Sequence, residues 1–359
     1  MMRGSPAKVI PALTGLRGIA ALWVVLFHLY GPVGSPMSKG YLGVDAFFIL
    51  SGFVLSLVYA EKFKHITLDT YFSFLKARVA RIFPLHLATL SFLGLLAIEL
   101  PGFANAYPMP HERFGISSFI ASALLIQNWF YWLPTCWNTP AWSLSAEWAA
   151  YLAFPAFALF TQHWRSIPVT LLLAASSLGV FIAICTFRGV TYPDGQGTLG
   201  MARMATEFCC GCLIFRAQAL GMQILPKWVE VLAIALLGVS LFVPGAIFLS
   251  LFGLALIVLL AGQSSGPIAK FLSFRPMVLM GEISYSIYLV HWILIQISTW
   301  AWPSESLSWV QICARDAGVI TFTLLISYGT YVSIELRARA WARTIGVKPK
   351  IMAANADAI

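Results

Sequence analysis

The chain carries eleven apolar runs, most of them close to the length of a membrane-spanning helix, and this repetition constrains its fold more than any other feature. A helix that crosses the ~30 Å hydrocarbon core needs ~20 mostly apolar residues. Only 10% of the 359 residues are charged, whereas an average soluble domain carries about 25%. The sequence therefore predicts an all-α polytopic membrane protein. The runs lie at 12–30, 41–60, 83–100, 114–132, 143–161, 166–187, 199–216, 228–243, 246–262, 277–302 and 311–334.

The charges in the connecting segments indicate which run does not cross. Short loops rich in Lys and Arg stay on the cytoplasmic side of a membrane. If 114–132 stays on one side, the basic segments 62–81, 216–227, 270–275 and 337–350 all face the cytoplasm. If 114–132 crosses, the last three face outward. We therefore expect ten spans in the cell inner (plasma) membrane, both termini cytoplasmic, and a re-entrant or outer helix at 114–132.

The net charge of +9 would suggest nucleic-acid binding in a soluble protein. Here the positive-inside rule accounts for it, and we expect no nucleic-acid partner. Cys209 and Cys212 have CxxC spacing, but no second pair or histidine ligand follows. We expect these cysteines to pack in the core and expect no metal.

The first run contains two polar residues, Arg17 and His28, that are costly in hydrocarbon. Eleven residues at 100° each come to about three full turns, so both lie on one helix face, ~16 Å apart along the axis. An ionised side chain at the bilayer centre costs ~2.5–3.5 kcal/mol on insertion scales. This face is therefore expected to point into the bundle. The alternative is an arginine that snorkels to the interface and a hydrogen-bonded core histidine.

Two carboxylates enter the membrane from the same end as His28 in the expected orientation. Asp45 lies early in the second run and Glu147 early in the run that begins near 143. All three side chains are expected to converge at one outer level. A carboxylate beside an imidazole fixes its tautomer and stabilises the imidazolium, which a general base requires. The alternative for Asp45 is a buried ion pair that sets helix register.

Arg78 and Arg81 are three residues apart and are neighbours on a helix surface. Two adjacent guanidiniums bind phosphate groups well. The alternative is an ordinary cytoplasmic basic cluster that contacts anionic lipid.

Two further pairs give weaker signals. Arg203 and Glu207 have the i,i+4 spacing of a helical ion pair. Tyr288 and His291 share a helix face, which suits a hydrogen-bonded core or a substrate contact equally.

Five motifs in this order resemble the acyltransferase-3 family of integral membrane O-acyltransferases. The family includes bacterial enzymes that O-acetylate lipopolysaccharide O-antigen, Nod factors, exopolysaccharides and macrolides. The resemblance covers about residues 10–335. The motifs are Arg17-x10-His28, GVDAFFILSGF at 43–53, RVAR at 78–81, WSLSAEW at 142–148 and SYSIYLVH at 284–291.

The resemblance implies transfer of an acyl group, normally acetyl, from cytoplasmic acyl-coenzyme A to a hydroxyl of a carbohydrate or glycoconjugate acceptor. By this resemblance Arg78 and Arg81 hold phosphates of coenzyme A, and Arg17 lines the acyl or pantetheine path. His28 is the general base or the acyl carrier. Asp45 orients His28, and Glu147 supports the acceptor side. Residues expected to support substrate or structure are Trp142, Ser143, Tyr151, Arg203, Tyr288 and His291.

The expected domains are a membrane acyltransferase domain at 10–335 and a basic cytoplasmic tail at 336–359. No fused SGNH-type domain is expected, so the chain completes the transfer itself or passes acyl groups to a separate extracytoplasmic partner. A homo-oligomer also remains open. Glu335 lies where the last span meets the cytoplasm and is expected to meet a basic neighbour, although it lacks the nearby proline that relatives often have. The alternative function is a secondary transporter or lipid-linked-sugar flippase, since intramembrane ionisable residues also mark substrate paths.

Overall fold

The computed structural model describes residues 10–31, 36–100, 102–104, 114–130, 137–191 and 197–344. These residues form helices and connecting turns, with no strand among them. The helices are α1 (Pro11–Tyr30), α2 (Leu42–Tyr59), α3 (Leu68–Glu99), α4 (Ile116–Ala123), α5 (Ala141–His163), α6 (Ile167–Phe187), α7 (Gly197–Ala219), α8 (Trp228–Phe242), α9 (Leu249–Gln263), α10 (Gly266–Leu272), α11 (Arg275–Glu282), α12 (Ser284–Ala301), α13 (Trp309–Thr330) and α14 (Leu336–Thr344).

Within the described part of the chain, seven helices are long and apolar enough to cross a membrane. They are α1, α2, α3, α5, α6, α7 and α13. Two bent pairs, α9 with α10 and α11 with α12, bring the number to nine if each pair is one span. The remaining apolar helix, α8, has 15 residues. Each of the ten predicted spans therefore has a helical counterpart, and the predicted all-α membrane architecture is confirmed.

The segment around α4 enters the bundle without crossing it. Eight residues make a helix only ~12 Å long. The His86 ring on α3 lies 2.7 Å from the Ser122 carbonyl, and the Ser145 hydroxyl on α5 donates to the Leu125 carbonyl at 2.8 Å. The segment is thus held between α3 and α5. The predicted non-crossing helix is confirmed for 114–130, and residues 131 and 132 lie outside the described ranges.

The ends of three helices meet at one end of the bundle, which we call the basic end. The Gln162 amide near the end of α5 donates to the Ala60 carbonyl just after α2 at 2.9 Å. Arg216, near the end of α7, donates to the Trp164 carbonyl at 2.9 Å. These contacts show that α2, α5 and α7 run in the same direction and end together at the basic end.

Lys39 marks the opposite end of the bundle. Its ammonium donates to the Ser240 and Leu241 carbonyls in the last turn of α8, at 3.0 and 2.7 Å. Since α8 begins directly after Lys227 at the basic end, it runs from one end to the other despite its short length.

Glycines allow α2 and α7 to touch along their backbones. A Cβ at Gly52 would stand 2.0 Å from the Phe208 carbonyl oxygen, and one at Gly211 would stand 1.9 Å from the Ile49 carbonyl oxygen. Only glycine fits such an approach between membrane helices. This close contact fixes which face of α2 is turned toward α7.

The run at 277–302, which the sequence predicts as one span, is broken at Ile283. The axes of α11 and α12 differ in direction by 68°. Gly281 lies against α1, where a Cβ would stand 1.8 Å from the Thr14 carbonyl oxygen. The span is bent because α11 crosses α1 closely before the chain turns. The turn sets Ser284, the first residue of α12, beside Arg17 at 3.4 Å.

Candidate active site

A cavity of about 420 Å³ opens at the basic end between α1, α2, α3, α5, α11 and α14. Four arginines line it: Arg17 from α1, Arg78 and Arg81 from α3, and Arg339 from α14. The structure thus gathers the three arginines that the resemblance assigned to the donor and adds a fourth. Other polar or aromatic residues in its lining are Thr14, Ser51, Tyr59, Tyr151, Glu282 and Tyr331.

Aromatic rings hold the guanidinium of Arg78. Its central carbon lies 5.4 Å from the ring centre of Tyr59, 5.8 Å from Tyr151 and 5.9 Å from Phe74. One terminal nitrogen donates to the Tyr59 hydroxyl at 3.2 Å. The Nε atom is buried and has no hydrogen-bond partner among the described residues. Stacking therefore orients the planar group and leaves donors available to an anion.

Arg339 was not a sequence-based candidate. It donates to the carboxylate of Glu335, which also accepts from the Ser286 hydroxyl on α12. Glu335 is the last residue of a π-helical turn, Tyr331–Glu335, a feature often found at functional sites. The i,i+4 spacing of Glu335 and Arg339 was the available signal. The sequence suggested only that Glu335 meets a basic neighbour, and this is confirmed.

Glu147 lies behind the lining of the arginine cavity and is hydrogen-bonded to two of its residues. Its carboxylate accepts hydrogen bonds from the Ser51 hydroxyl and from the Tyr151 hydroxyl, the latter at 2.6 Å. Ser51 is six residues beyond Asp45 on α2, ~9 Å along the axis. The predicted convergence of Glu147 with His28 and Asp45 at one level is therefore corrected. α5 packs on α2 so that Glu147 meets Ser51, deeper in the bundle than Asp45.

His28 lies against a second histidine from α12. Its Nδ1 is 3.1 Å from Nε2 of His291, and the Trp292 ring centre lies 5.0 Å from its own ring centre. His291 is fully buried, whereas His28 is partly exposed. Arg17 also meets α12, through Ser284. The predicted common face of Arg17 and His28 is confirmed, because both side chains reach the same helix.

Asp45 belongs to a buried ion cluster between α2 and α7. Arg203 donates to its carboxylate from Nε at 2.9 Å and from a terminal nitrogen. Glu207 is 3.6 Å from the same Nε, and all three side chains are at most 1% exposed. The expected role of Asp45 as the partner of His28 is therefore corrected. The close α2–α7 packing turns Asp45 toward Arg203, and His291 takes the place beside His28.

The remaining candidates connect α5 to its neighbours. The ring of Trp142 lies 5.8 Å from the central guanidinium carbon of Arg203. The Ser143 hydroxyl lies 2.7 Å from the Tyr288 hydroxyl, which also donates to the Pro140 carbonyl at 3.0 Å. These bonds hold the start of α5 on α12, next to the histidine pair.

The Acyl_transf_3 family model, which describes an acyltransferase domain, matches residues 10–332. Acyltransferase MdmB of Streptomyces mycarofaciens is 30% identical over 328 residues, which are 81% of each chain. O-acetyltransferase OatA of Staphylococcus aureus is 28% identical over 326 residues, 80% of this chain and 51% of the relative. Peptidoglycan O-acetyltransferase OatA of Listeria monocytogenes is 26% identical over 328 residues, 81% of this chain and 50% of the relative.

The chain therefore spans about half the length of the OatA proteins. No solved structure matches it.

Proposed function

The chain belongs to the acyltransferase-3 family, and from that premise we propose that it is a membrane O-acyltransferase of the cell inner (plasma) membrane. Its donor is a cytoplasmic acyl-coenzyme A, with acetyl as the expected acyl group. Its acceptor is a hydroxyl of a carbohydrate or glycoconjugate. The observation that carries the proposal is the cavity in which four arginines from three distant segments meet.

The lining of this cavity fits the phosphate groups of coenzyme A. Its lining contains four basic residues and one acidic residue, Glu282. The basic residues are Arg17, Arg78, Arg81 and Arg339. Guanidiniums form short, charge-assisted and often bidentate bonds with phosphate. The volume of about 420 Å³ lies within the range of roughly 300–1,000 Å³ that is usual for small-molecule sites. A bound polyanion would supply the partners that the Nε atoms of Arg78 and Arg339 lack among the described residues.

We assign the two substrates to opposite ends of α1. The basic end faces the cytoplasm by the positive-inside rule, with both termini on that side. His28 then lies toward the outer side, ~16 Å from Arg17 along the helix axis. A pantetheine arm is long enough to cross a separation of this size, so the donor thioester can approach His28 while its phosphates stay at the arginines.

His28 acts on the acyl transfer in one of two ways. As a general base it takes the proton of the acceptor hydroxyl while that oxygen attacks the thioester carbonyl. As an acyl carrier it is acylated first and then passes the group on. Both require a neutral imidazole with an accessible lone pair.

The names of two relatives support the acceptor class. They are called O-acetyltransferase and peptidoglycan O-acetyltransferase, and both names describe acetyl esters formed on hydroxyl groups. We extend this chemistry to the present chain as part of the proposal.

Transfer across a membrane tests the proposal. Proteoliposomes are loaded with radiolabelled acetyl-coenzyme A, and peptidoglycan-derived muropeptides are supplied on the other side. We expect alkali-labile acetyl label on the muropeptide, lost in His28→Ala and retained in His163→Ala, which alters an exposed histidine. Equal transfer by His28→Ala and the unaltered protein would contradict the role of His28. Movement of a saccharide without consumption of acetyl-coenzyme A would support the transporter alternative.

A further inference from the structure

His291 makes a hydrogen bond that defines where its own hydrogen lies. The side chain is fully buried, and its Nδ1 is 2.9 Å from the carbonyl oxygen of Ile287, one turn earlier on α12. A carbonyl oxygen only accepts, so Nδ1 of His291 carries the hydrogen. In a neutral imidazole the other nitrogen then has a lone pair. Neutrality is favoured in this buried position, because an isolated charge inside a membrane protein is costly.

This assignment extends to His28. Nε2 of His291 carries a lone pair and therefore accepts, and it lies 3.1 Å from Nδ1 of His28. Two lone pairs do not form a hydrogen bond, so Nδ1 of His28 is the donor. Nε2 of His28 is left with the lone pair, because a neutral imidazole carries one ring hydrogen, and the backbone of Val24, one turn earlier on α1, is a further partner of the His28 ring. The chain of donors therefore runs from His28 through His291 to the Ile287 carbonyl.

The surroundings hold both rings in this arrangement. The ring centre of His28 lies 5.0 Å from that of Trp292 and 5.0 Å from that of Phe27. The Tyr288 ring centre lies 6.0 Å from that of His291, and the Tyr288 hydroxyl is fixed to α5. The two imidazoles are thus held by neighbours from α1 and α12, while His28 keeps an exposed part.

We propose that His291 is a positioning residue, which holds His28 in the Nδ1–H tautomer and thereby makes Nε2 of His28 the reacting atom. The inference rests on the proposed acyl transfer and gives to a histidine the part that the sequence analysis gave to Asp45. A donated hydrogen bond from Nδ1 also stabilises the imidazolium that forms when Nε2 takes a proton, as a carboxylate does in other enzymes.

In the general-base route the acceptor oxygen forms a bond to the thioester carbonyl carbon, and its proton moves to Nε2 of His28. The carbon–sulfur bond then breaks, the thiolate of coenzyme A leaves, and it takes that proton back. His28 ends neutral, with its hydrogen on Nδ1 as before.

Two substitutions of His291 separate positioning from packing. His291→Gln keeps an acceptor oxygen near the place of Nε2, and His291→Phe keeps a ring of similar size without an acceptor. We expect kcat for acetyl transfer to fall roughly 10- to 100-fold in His291→Phe, a usual effect of losing an orienting partner. His291→Gln should retain most of the activity, and KM for acetyl-coenzyme A should stay unchanged in both.

The inference is overturned if His291→Phe retains full kcat, or if both variants lose kcat equally at equal melting temperature. If His291→Phe does not fold, methylhistidines at position 28 test the reacting atom instead. A methyl group on Nε2 should abolish acetyl transfer, whereas a methyl group on Nδ1 leaves the lone pair on Nε2 and should retain more activity. Full activity of the Nε2-methyl protein would overturn the inference too. Failure of the proposed function is distinguishable, because the unaltered protein would then form no acetyl ester.

Discussion

Two arginine-containing regions of this bundle differ in how their charge is balanced. Arg203 is 1% exposed and lies between the carboxylates of Asp45 and Glu207. The arginines of the basic-end cavity are partly exposed, and in its lining they outnumber the acidic residues four to one. The two regions therefore differ both in burial and in local charge balance. An arginine that lies between carboxylates is expected to stabilise the fold, and arginines in excess around an open cavity are expected to bind an anion.

The largest expected effect is at the balanced cluster. Arg203→Met leaves Asp45 and Glu207 buried without their cation, and breaking a buried ion pair in this way costs about 3–5 kcal/mol. We expect little monodisperse protein after detergent extraction and a strongly lowered melting temperature. The triple variant Arg203→Met, Asp45→Asn, Glu207→Gln removes all three charges and should recover most of the loss. An unaltered melting temperature in Arg203→Met would contradict the structural assignment.

The cavity arginines should behave in the opposite way. The double variant Arg78→Ala, Arg81→Ala should keep its melting temperature and lose affinity for acetyl-coenzyme A. Bonds between charged groups contribute about 1.5–3 kcal/mol each, so the dissociation constant should rise roughly 100-fold or more. Isothermal titration calorimetry checks this, with Arg165→Ala as a matched control at an exposed arginine of the same end. Equal affinity for acetyl-coenzyme A in the double variant and in the control would contradict the role of Arg78 and Arg81 in binding phosphate.

Arg339 combines both behaviours and should show an intermediate effect. Its partner Glu335 is 0% exposed, so Arg339→Ala alone would also leave a carboxylate unpaired. Comparing the single variant Glu335→Gln with the double variant Glu335→Gln, Arg339→Ala isolates the contribution of Arg339 to ligand binding. We expect about tenfold weaker binding of acetyl-coenzyme A in the double variant than in Glu335→Gln. Identical affinities would restrict Arg339 to its pairing with Glu335.

The smallest effect on ligand binding is expected at the cavity wall. Tyr151→Phe removes the hydroxyl that donates to Glu147 at 2.6 Å but keeps the ring beside Arg78. One lost hydrogen bond to a charged group should lower stability by about 1.5–3 kcal/mol and change acetyl-coenzyme A affinity less than tenfold. Thermal unfolding and calorimetry on the same preparation measure both. A binding loss as large as that of the arginine double variant would indicate that the hydroxyl itself contacts the ligand.

The sequence predicts much of this arrangement from local periodicity. Apolar runs gave the spans, loop charges singled out the segment that does not cross, and helical spacing put Arg17 and His28 on one face. Each of these inferences depends on residues within one helix or one loop. The segment 114–130 and the shared face of Arg17 and His28 are confirmed on that basis.

The partners across helices could not be predicted in the same way. Asp45 was expected beside His28 because both lie near the same end of adjacent helices. Its direction is set by the backbone contact of Gly52 with Phe208, a residue far along the chain. The bend at Ile283 likewise depends on Gly281 meeting Thr14. Helix rotation and register come from such distant contacts, which no local pattern contains.

Whether the arginine cavity binds the phosphates of the donor is tested most directly by comparing acetyl-coenzyme A with acetyl-pantetheine, which has the same thioester arm and no phosphate. We predict that the unaltered protein binds acetyl-coenzyme A roughly 100-fold or more tightly than acetyl-pantetheine, and that the double variant Arg78→Ala, Arg81→Ala loses most of this difference. Equal affinity of the unaltered protein for both ligands, or a difference that persists in the double variant, would contradict this prediction.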